Sequence, residues 1–153
     1  MCGFAGKLAW DERYRTTPEA LSAMSRAIAH RGPDGEALWI NHDGAISPEA
    51  PQVAFAFRRL AVLDVDPRAM QPMHSPDGRF SLVFNGEIYN FQEIRKELEK
   101  DTTWDWKTSG DAEVLLASYA RWGADCLKRL NGMFAIAIWD AQERKLFLAR
   151  DRM

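Results

Sequence analysis

The chain has 153 residues, of which 46% are hydrophobic and 27% charged, a composition typical of one globular domain with a real core. Its 20 Lys and Arg against 22 Asp and Glu give a net charge of -2, which offers no electrostatic basis for binding nucleic acid or a membrane surface. Two cysteines make no disulfide framework, and neither they nor the three histidines have zinc-site spacing, so we expect a cytoplasmic protein. No signal peptide and no membrane-length apolar run is present.

The residue pattern of the first half of the chain predicts three strands and one helix. The helix is expected to begin with Thr17 as N-cap and Pro18 as first helical residue, and to end near His30, because the segment Arg31-Gly32-Pro33 stops it. The strands are expected at residues 2–10, 36–41 and 52–58.

The second half predicts further strands that cluster in sequence. Ala112, Leu115, Tyr119 and Trp122 lie on one stripe of a helix that ends at Gly123. A shorter helix is expected at residues 91–99, a loop at 64–78, and strands at 79–85, 132–139 and 145–150. Because the strands do not alternate regularly with helices, the pattern favours stacked sheets flanked by helices over a doubly wound parallel sheet.

The opening MCGFAG places a thiol at position two. If Met1 is removed, Cys2 carries its own α-amine, and an α-amine with an unperturbed pKa of about 7.7–8.0 can accept the thiol proton near neutral pH. Cys2 is then a candidate nucleophile whose base is built in. The alternative is that Cys2 is an ordinary residue of the first strand, and the sequence leaves both interpretations open.

The pair Asn85-Gly86 follows an apolar strand. Such a pair often forms a hairpin turn. A side-chain amide next to a glycine N–H also suits an oxyanion hole, which stabilises the negative oxygen of a tetrahedral intermediate. Spacing alone does not decide between the two.

Three further stretches have both a structural and a functional interpretation. The HRGPD segment, residues 30–34, is typical of a helix stop and turn. Arg59, at a strand end, is either solvated or a bidentate clamp for a carboxylate. Asp111 is either a helix N-cap or a ligand for an ammonium group. Together with Cys2 and Asn85 these groups could bind and attack a small zwitterionic amide such as glutamine.

These motifs, in this order, resemble the glutaminase domain of class II glutamine amidotransferases, which are N-terminal-nucleophile hydrolases. Within that class the chain looks most like the N-terminal domain of glutamine-dependent asparagine synthetases. The matching stretches are MCGFAG, HRGPD, RRLAVLD, MQPM, FNGEIYN, SGDAEVL, NGMFAIAIWD and LARDR, which span positions 1–152. The resemblance implies an α+β fold, a four-layer αββα sandwich of the N-terminal-nucleophile hydrolase type, truncated at its C-terminal end.

The resemblance also implies a role for each site residue. Cys2 would be the nucleophile with its α-amine as base, and Asn85 with the Gly86 N–H would form the oxyanion hole. Arg59 would hold the glutamine α-carboxylate, and Glu87 and Asp111 the α-ammonium. The residues expected to bind the substrate are Arg59, Leu60, Val62, Leu63, Glu87 and Asp111.

By the same resemblance, residues 2–153 form a glutaminase domain that would hydrolyse L-glutamine and pass ammonia to a C-terminal synthetase domain absent from this chain. We expect no cofactor or metal in the domain itself, and ATP and magnesium in the synthetase domain. The acceptor stays open between aspartate and another carboxylate, and a homodimer is one assembly that the resemblance allows. Two alternatives stay open: a non-catalytic glutamine-binding or interaction module, and an N-terminal-nucleophile acylase acting on another amide.

Overall fold

A computed structural model describes residues 2–61 and 66–152. The N-terminal part forms a three-stranded antiparallel sheet, sheet 1, with strand order β1-β3-β2. Its strands are β1 (Gly3–Ala9), β2 (Gly35–Ile40) and β3 (Gln52–Arg59), and all three were predicted.

Helix α1 (Pro18–Ala27) covers the outer face of sheet 1. It begins as predicted, because the Thr17 hydroxyl accepts a hydrogen bond from the Ala20 N–H at 3.3 Å and Pro18 occupies the first turn. The helix ends slightly earlier than expected, and a 3-10 turn, Ala29–Arg31, carries the chain toward β2.

The C-terminal part forms a four-stranded antiparallel sheet, sheet 2, with two helices on its outer face. The strand order is β4-β5-β6-β7, and α3 ends at Gly123, whose φ of 57° lies in the left-handed region that glycine tolerates. The elements are β4 (Met73–His74), β5 (Phe80–Ile88), α2 (Phe91–Asp101), α3 (Asp111–Trp122), β6 (Gly132–Asp140) and β7 (Lys145–Arg150). Further 3-10 turns lie at Glu12–Tyr14, Pro67–Ala69 and Gly123–Lys128.

Three apolar clusters hold four layers together. Leu21 of α1 packs on Ala54 and Ala56 of β3. Between the sheets lie Val53, Phe55, Phe57, Val83, Ala137 and Trp139. Between sheet 2 and its helices lie, among others, Leu82, Ile94, Leu98, Leu115, Ile136 and Ile138. Each fully buried aliphatic or aromatic side chain contributes about 1.5–3 kcal/mol of transfer free energy. The order α1, sheet 1, sheet 2, α2–α3 confirms the predicted αββα sandwich.

Two interpretations of local sequence are wrong. The pair Asn85-Gly86 is not a hairpin turn, because β5 continues through it and pairs it with Ala135 and Phe134 of β6. Gly86 is needed there for close approach: its φ is 154°, and an added Cβ would lie 2.1 Å from the carbonyl oxygen of Met133.

Asp111 is not the N-cap of α3 either. Gly110 holds that position and Asp111 is the first helical residue. Its Oδ2 accepts the backbone N–H of Ile88 at 2.9 Å, so the carboxylate links the helix to sheet 2. Within the described residues, no helix is both long and apolar enough to cross a bilayer.

Candidate active site

A cavity of about 170 Å³ opens where β1 begins, β3 ends and β5 meets the N-terminus of α3. These three places come together because β1 and β3 are antiparallel neighbours, with Gly3 opposite Arg58, and because Asp111 ties α3 to the end of β5. The predicted site residues that line this cavity are Cys2, Arg59, Leu60, Gly86, Glu87 and Asp111.

The Cys2 thiol is held by the residue that follows β3. The Leu60 N–H donates to Sγ at 3.2 Å, and Sγ lies 3.5 Å from the Leu60 carbonyl oxygen. The Cys2 carbonyl oxygen accepts from Nε and Nη2 of Arg31, both at 3.4 Å. The thiol therefore has a fixed position on the cavity wall, and an N–H dipole points at its sulfur.

The segment after Arg31 supports the same wall from behind. Gly32 lies so close to β3 that an added Cβ would come within 2.4 Å of the Arg58 carbonyl carbon. Asp34 brackets the end of the strand, because its N–H donates to the Arg59 carbonyl at 3.0 Å and its Oδ2 accepts the Ala61 N–H at 2.9 Å. HRGPD is thus a turn that shapes the loop beside Cys2.

The two adjacent arginines at the end of β3 have different surroundings. Arg58 donates to Ser25 Oγ at 2.8 Å and pairs with Glu36 at 3.1 Å, against α1 and β2. Arg59 is buried, donates from Nη2 to the Asp66 carbonyl at 2.9 Å and lines the cavity. Of this pair, Arg59 is the one that can meet an anionic ligand group.

Two carboxylates provide the opposite charge. Asp111 is only 8% exposed, and burial raises the pKa of its carboxyl. Its backbone hydrogen bonds, led by the one from Ile88, act against this increase, while the charge of Glu87 adds to it. Two acidic groups that repel each other on one cavity wall favour a cation between them.

Asn85 and Gly86 differ in the cavities that they line. Side chains alternate along a strand, so Asn85 faces the same side as Val83, between the sheets, while Phe84 packs toward the helices. Asn85 lines a second cavity of about 190 Å³, which shares Gly86 and Met133 with the first. Its Oδ1 is buried without a hydrogen-bond partner in the described part of the chain. Gly86 thus lines the cavity of Cys2, and Asn85 lines the cavity next to it.

The cavity is also lined by residues to which the sequence assigned no role, among them Gln71, Thr108 and Met133. MQPM drew attention only as a matching stretch, and Thr108 lies directly before SGDAEVL. Neither has a spacing that marks it as a site residue. Val62 and Leu63 lie outside the described residues, and no group of acidic, histidine and cysteine side chains suited to a metal ion occurs within residues 2–61 and 66–152.

Proteins of known family are similar to this chain in sequence. A Mycobacterium bovis protein with the provisional name asparagine synthetase (glutamine-hydrolyzing) is 45% identical over 140 residues, which cover 87% of this chain and 21% of the relative. Asparagine synthetase (glutamine-hydrolyzing) 3 of Bacillus subtilis is 35% identical over 100% of this chain and 24% of its own length. The chain thus spans about a quarter or less of the length of these two curated relatives.

A solved structure has the same fold. The Bacillus subtilis glutamine phosphoribosylpyrophosphate amidotransferase, complexed with ADP and GMP, superposes with a TM-score of 0.69 at 21% identity, covering 99% of this chain and 37% of the other. The family model described as a glutamine amidotransferase domain matches residues 1–153. This protein belongs to the glutamine amidotransferase domain family.

Proposed function

We propose that the domain hydrolyses L-glutamine to glutamate and ammonia through a thioester on Cys2. The observation that carries this proposal is the single cavity that collects a thiol, a buried guanidinium and two carboxylates. These are the groups needed to bind a zwitterionic amino acid and attack its side-chain amide. Family membership supports the same reaction.

The cavity would bind the charged α-groups of glutamine at one end and place its side-chain amide next to the nucleophile at the other. Arg59 would hold the α-carboxylate, and Glu87 and Asp111 the α-ammonium, so that substrate charges match those of the cavity. Leu60, Val62 and Leu63 would contact the substrate through their backbone. The amide carbon would then lie at Cys2 Sγ.

The reaction would proceed in two steps. Sγ attacks the amide carbon, and the carbonyl oxygen becomes an oxyanion that the Gly86 N–H and Asn85 would stabilise. The C–N bond breaks, and the nitrogen leaves as ammonia with the proton that the thiol gave up. Water then attacks the γ-glutamyl thioester, the C–S bond breaks, a proton of the water passes to Sγ, and glutamate is released.

The proton carrier would be the α-amine of Cys2 after removal of Met1. With Met1 retained, the same nitrogen is part of a peptide bond and cannot accept the proton. The domain would then contain every residue of the active site but would not hydrolyse glutamine. Mass spectrometry of the intact protein would show which form is present. A form with Met1 retained that turns over as fast as the processed form would contradict this role.

Replacing the nucleophile tests the proposal directly. We expect Cys2→Ala to abolish ammonia release from L-glutamine. Cys126→Ala is the matched control, because burial raises the pKa of the Cys126 thiol to about 11 and keeps it unreactive. The control should lose stability but retain turnover. Full activity in Cys2→Ala would reject the thioester mechanism.

In the full-length protein, the ammonia would be used by a second domain. We infer that a C-terminal synthetase domain, using ATP and magnesium, activates a carboxylate acceptor and receives the ammonia, with aspartate as the first acceptor to test. We place the protein in the cytoplasm, with a homodimer as one candidate assembly. Acceptor-dependent formation of AMP or ADP by the full-length protein would test this assignment.

A second candidate is a domain that binds glutamine without hydrolysing it. The observation that favours it is the position of Asn85, which lines the neighbouring cavity and whose Oδ1 is buried without a partner in the described part of the chain. Calorimetry with an ammonia assay separates the two functions: heat of binding without ammonia supports the binding module. An acylase acting on another amide would instead prefer a different substrate in a panel of amides.

The role of Asn85 has its own test. If its amide joins the oxyanion hole during turnover, Asn85→Ala should lower kcat by roughly 10²–10³, the effect of losing one oxyanion donor. KM for glutamine should change little, because the ground-state carbonyl is held less tightly. An unchanged kcat would reject this role.

A further inference from the structure

The carboxamide of Gln71 has its oxygen in a hydrogen bond, while its NH₂ group is available to a ligand. Gln71 lines the cavity of Cys2 and is only 6% exposed. Its Oε1 accepts the backbone N–H of Phe84 at 2.5 Å, just beyond the place where β4 pairs with β5. Its Nε2 has no hydrogen-bond partner among residues 2–61 and 66–152.

The orientation of this amide is fixed by chemistry. A backbone N–H can only donate, so the atom facing Phe84 must be the oxygen, and Nε2 must point away from it. In the described part of the chain, the polar side-chain atoms that are buried without a partner are Thr16 Oγ1 and Asn85 Oδ1. Nε2 of Gln71 is not one of them, so it is reachable, and the surface that Gln71 contributes to is the cavity wall. Its two N–H donors are therefore accessible on a residue that lines the cavity.

We propose that Gln71 is a substrate-binding residue that donates from Nε2 to the α-carboxylate of the ligand, beside Arg59; this inference rests on the function proposed above. A Cβ added to Gly35 would lie 2.6 Å from Met70 Cε and 3.5 Å from Arg59 Cβ, so Arg59 and the residue directly before Gln71 approach the same glycine. Gln71 and Arg59 both line the cavity.

Of the two charged groups of the ligand, the chemistry of the cavity selects the carboxylate; the side-chain carbonyl oxygen is the other acceptor, and the second substrate described below distinguishes the two. An α-ammonium has no acceptor for an N–H donor, and Glu87 and Asp111 supply the acceptors that it needs. The cavity offers two acidic side chains against one guanidinium, and Arg59 already spends one N–H on Asp66. A carboxylate has about four lone-pair sites, so a neutral donor completes its coordination without a further charge.

The variant Gln71→Glu distinguishes a role of Gln71 in binding the substrate from a role in holding β5. It keeps the size of the side chain and an oxygen for the Phe84 N–H, but it replaces the two donors by a negative oxygen. KM for L-glutamine should rise by roughly 10- to 100-fold, the effect of losing one hydrogen bond to a charged group. kcat should change much less, because the carboxylate is bound equally in the ground and transition states.

A second substrate shows which ligand group is involved. 4-Aminobutanamide is glutamine without its α-carboxylate, and Gln71→Glu should bind it as well as, or better than, the wild-type protein does. An equal loss of affinity for both amides would overturn the proposal, because Gln71 would then act through the strand or through the amide group that both ligands share. An unchanged KM for L-glutamine would overturn it as well.

Gln52→Glu is the matched control for a buried glutamine. The Gln52 amide is bonded on both sides, to the Thr16 N–H at 2.7 Å and the His42 carbonyl at 3.4 Å, and it lies outside this cavity. It should lose stability and keep its KM. If Gln71→Glu does not fold, Gln71→Met should still raise KM roughly tenfold for L-glutamine only.

The proposed reaction and this inference can fail separately. Active wild-type protein with an unaltered Gln71→Glu rejects only the role of Gln71. If the wild-type protein binds glutamine but releases no ammonia, the same comparison is made with calorimetric Kd values, and a selective loss for L-glutamine still supports Gln71. A wild-type protein that neither hydrolyses nor binds glutamine rejects both.

Discussion

At the residue scale, Asp111 shows how a buried carboxylate is kept on the cavity wall at the expense of stability. Its charge is favoured by the N-terminus of α3 and by the Ile88 N–H, yet burial and Glu87 outweigh them, and the pKa of its carboxyl is raised above the ordinary 3.8. The folded protein therefore binds more protons than the unfolded chain just above that value. The stability contributed by Asp111 falls as pH rises through this window.

Replacing this carboxylate should therefore separate stability from binding. Asp111→Asn keeps an oxygen for the Ile88 N–H and removes the buried charge, so the melting temperature at neutral pH should stay equal or rise. KM for L-glutamine should increase, because one acceptor of the ammonium is lost. In the wild-type protein, KM should increase as pH falls through the raised pKa.

The control is a ligand rather than a residue. Glutaramate is glutamine without its ammonium group, and its affinity should be no lower in Asp111→Asn than in the wild-type protein. A variant that melts several degrees lower, or that loses affinity for glutaramate as strongly as for glutamine, would contradict the assignment of Asp111 to the ammonium.

At the scale of elements, the segment between α2 and α3 is organised by one buried carboxylate. Glu113 of α3 is 4% exposed and accepts hydrogen bonds from Trp104 Nε1, from the Lys107 N–H, and from both the N–H and the hydroxyl of Thr108. The hydroxyl contact is 2.7 Å. This segment has no regular structure of its own, so Glu113 positions Thr108 and Gly110 on the cavity wall.

Glu113→Gln should therefore affect both folding and binding. The introduced NH₂ group faces N–H donors, and at least one of them loses its acceptor, so the free energy of unfolding should fall by about 1–3 kcal/mol. KM for glutamine should rise because Thr108 moves. Glu97→Gln is the control: its pair with Arg129 is exposed and contributes about 1 kcal/mol or less. Equal effects of the two substitutions in denaturant titrations would contradict the positioning role.

The strands and helices were largely predictable, but two details of the site were not. Apolar runs, alternation and helical spacing located β1, β2, β3, β6, β7 and the helices. The pair Asn85-Gly86 has the composition of a turn, and only its pairing with β6, which lies far along the chain, turns it into strand. The role of Gln71 depends on its contact with the Phe84 N–H, a backbone group that no sequence pattern identifies.

At the scale of the whole molecule, the cavity joins layers that are otherwise held by separate apolar clusters. Cys2 and Arg59 belong to sheet 1, Gly86 and Glu87 to sheet 2, and Asp111 to α3. The clusters that connect these layers bury side chains such as Phe55 and Ile138, which do not line the cavity. A ligand in the cavity would add a connection between both sheets and the helix layer, so its binding should be visible as global stabilisation.

We therefore expect L-glutamine to raise the melting temperature of the Cys2→Ala variant, in which no turnover occurs. A ligand at 100 times its Kd stabilises the folded state by about 2.7 kcal/mol. For a domain of this size, that corresponds to roughly 5–10 °C in melting temperature. 4-Aminobutanamide at the same concentration should give a much smaller shift, because it cannot engage Arg59. Adding Arg59→Ala to Cys2→Ala should remove most of the shift caused by L-glutamine.

If the two ligands shift the melting temperature equally in Cys2→Ala, the carboxylate does not bind at Arg59. If neither ligand shifts it at saturating concentration, the cavity does not bind glutamine in this domain.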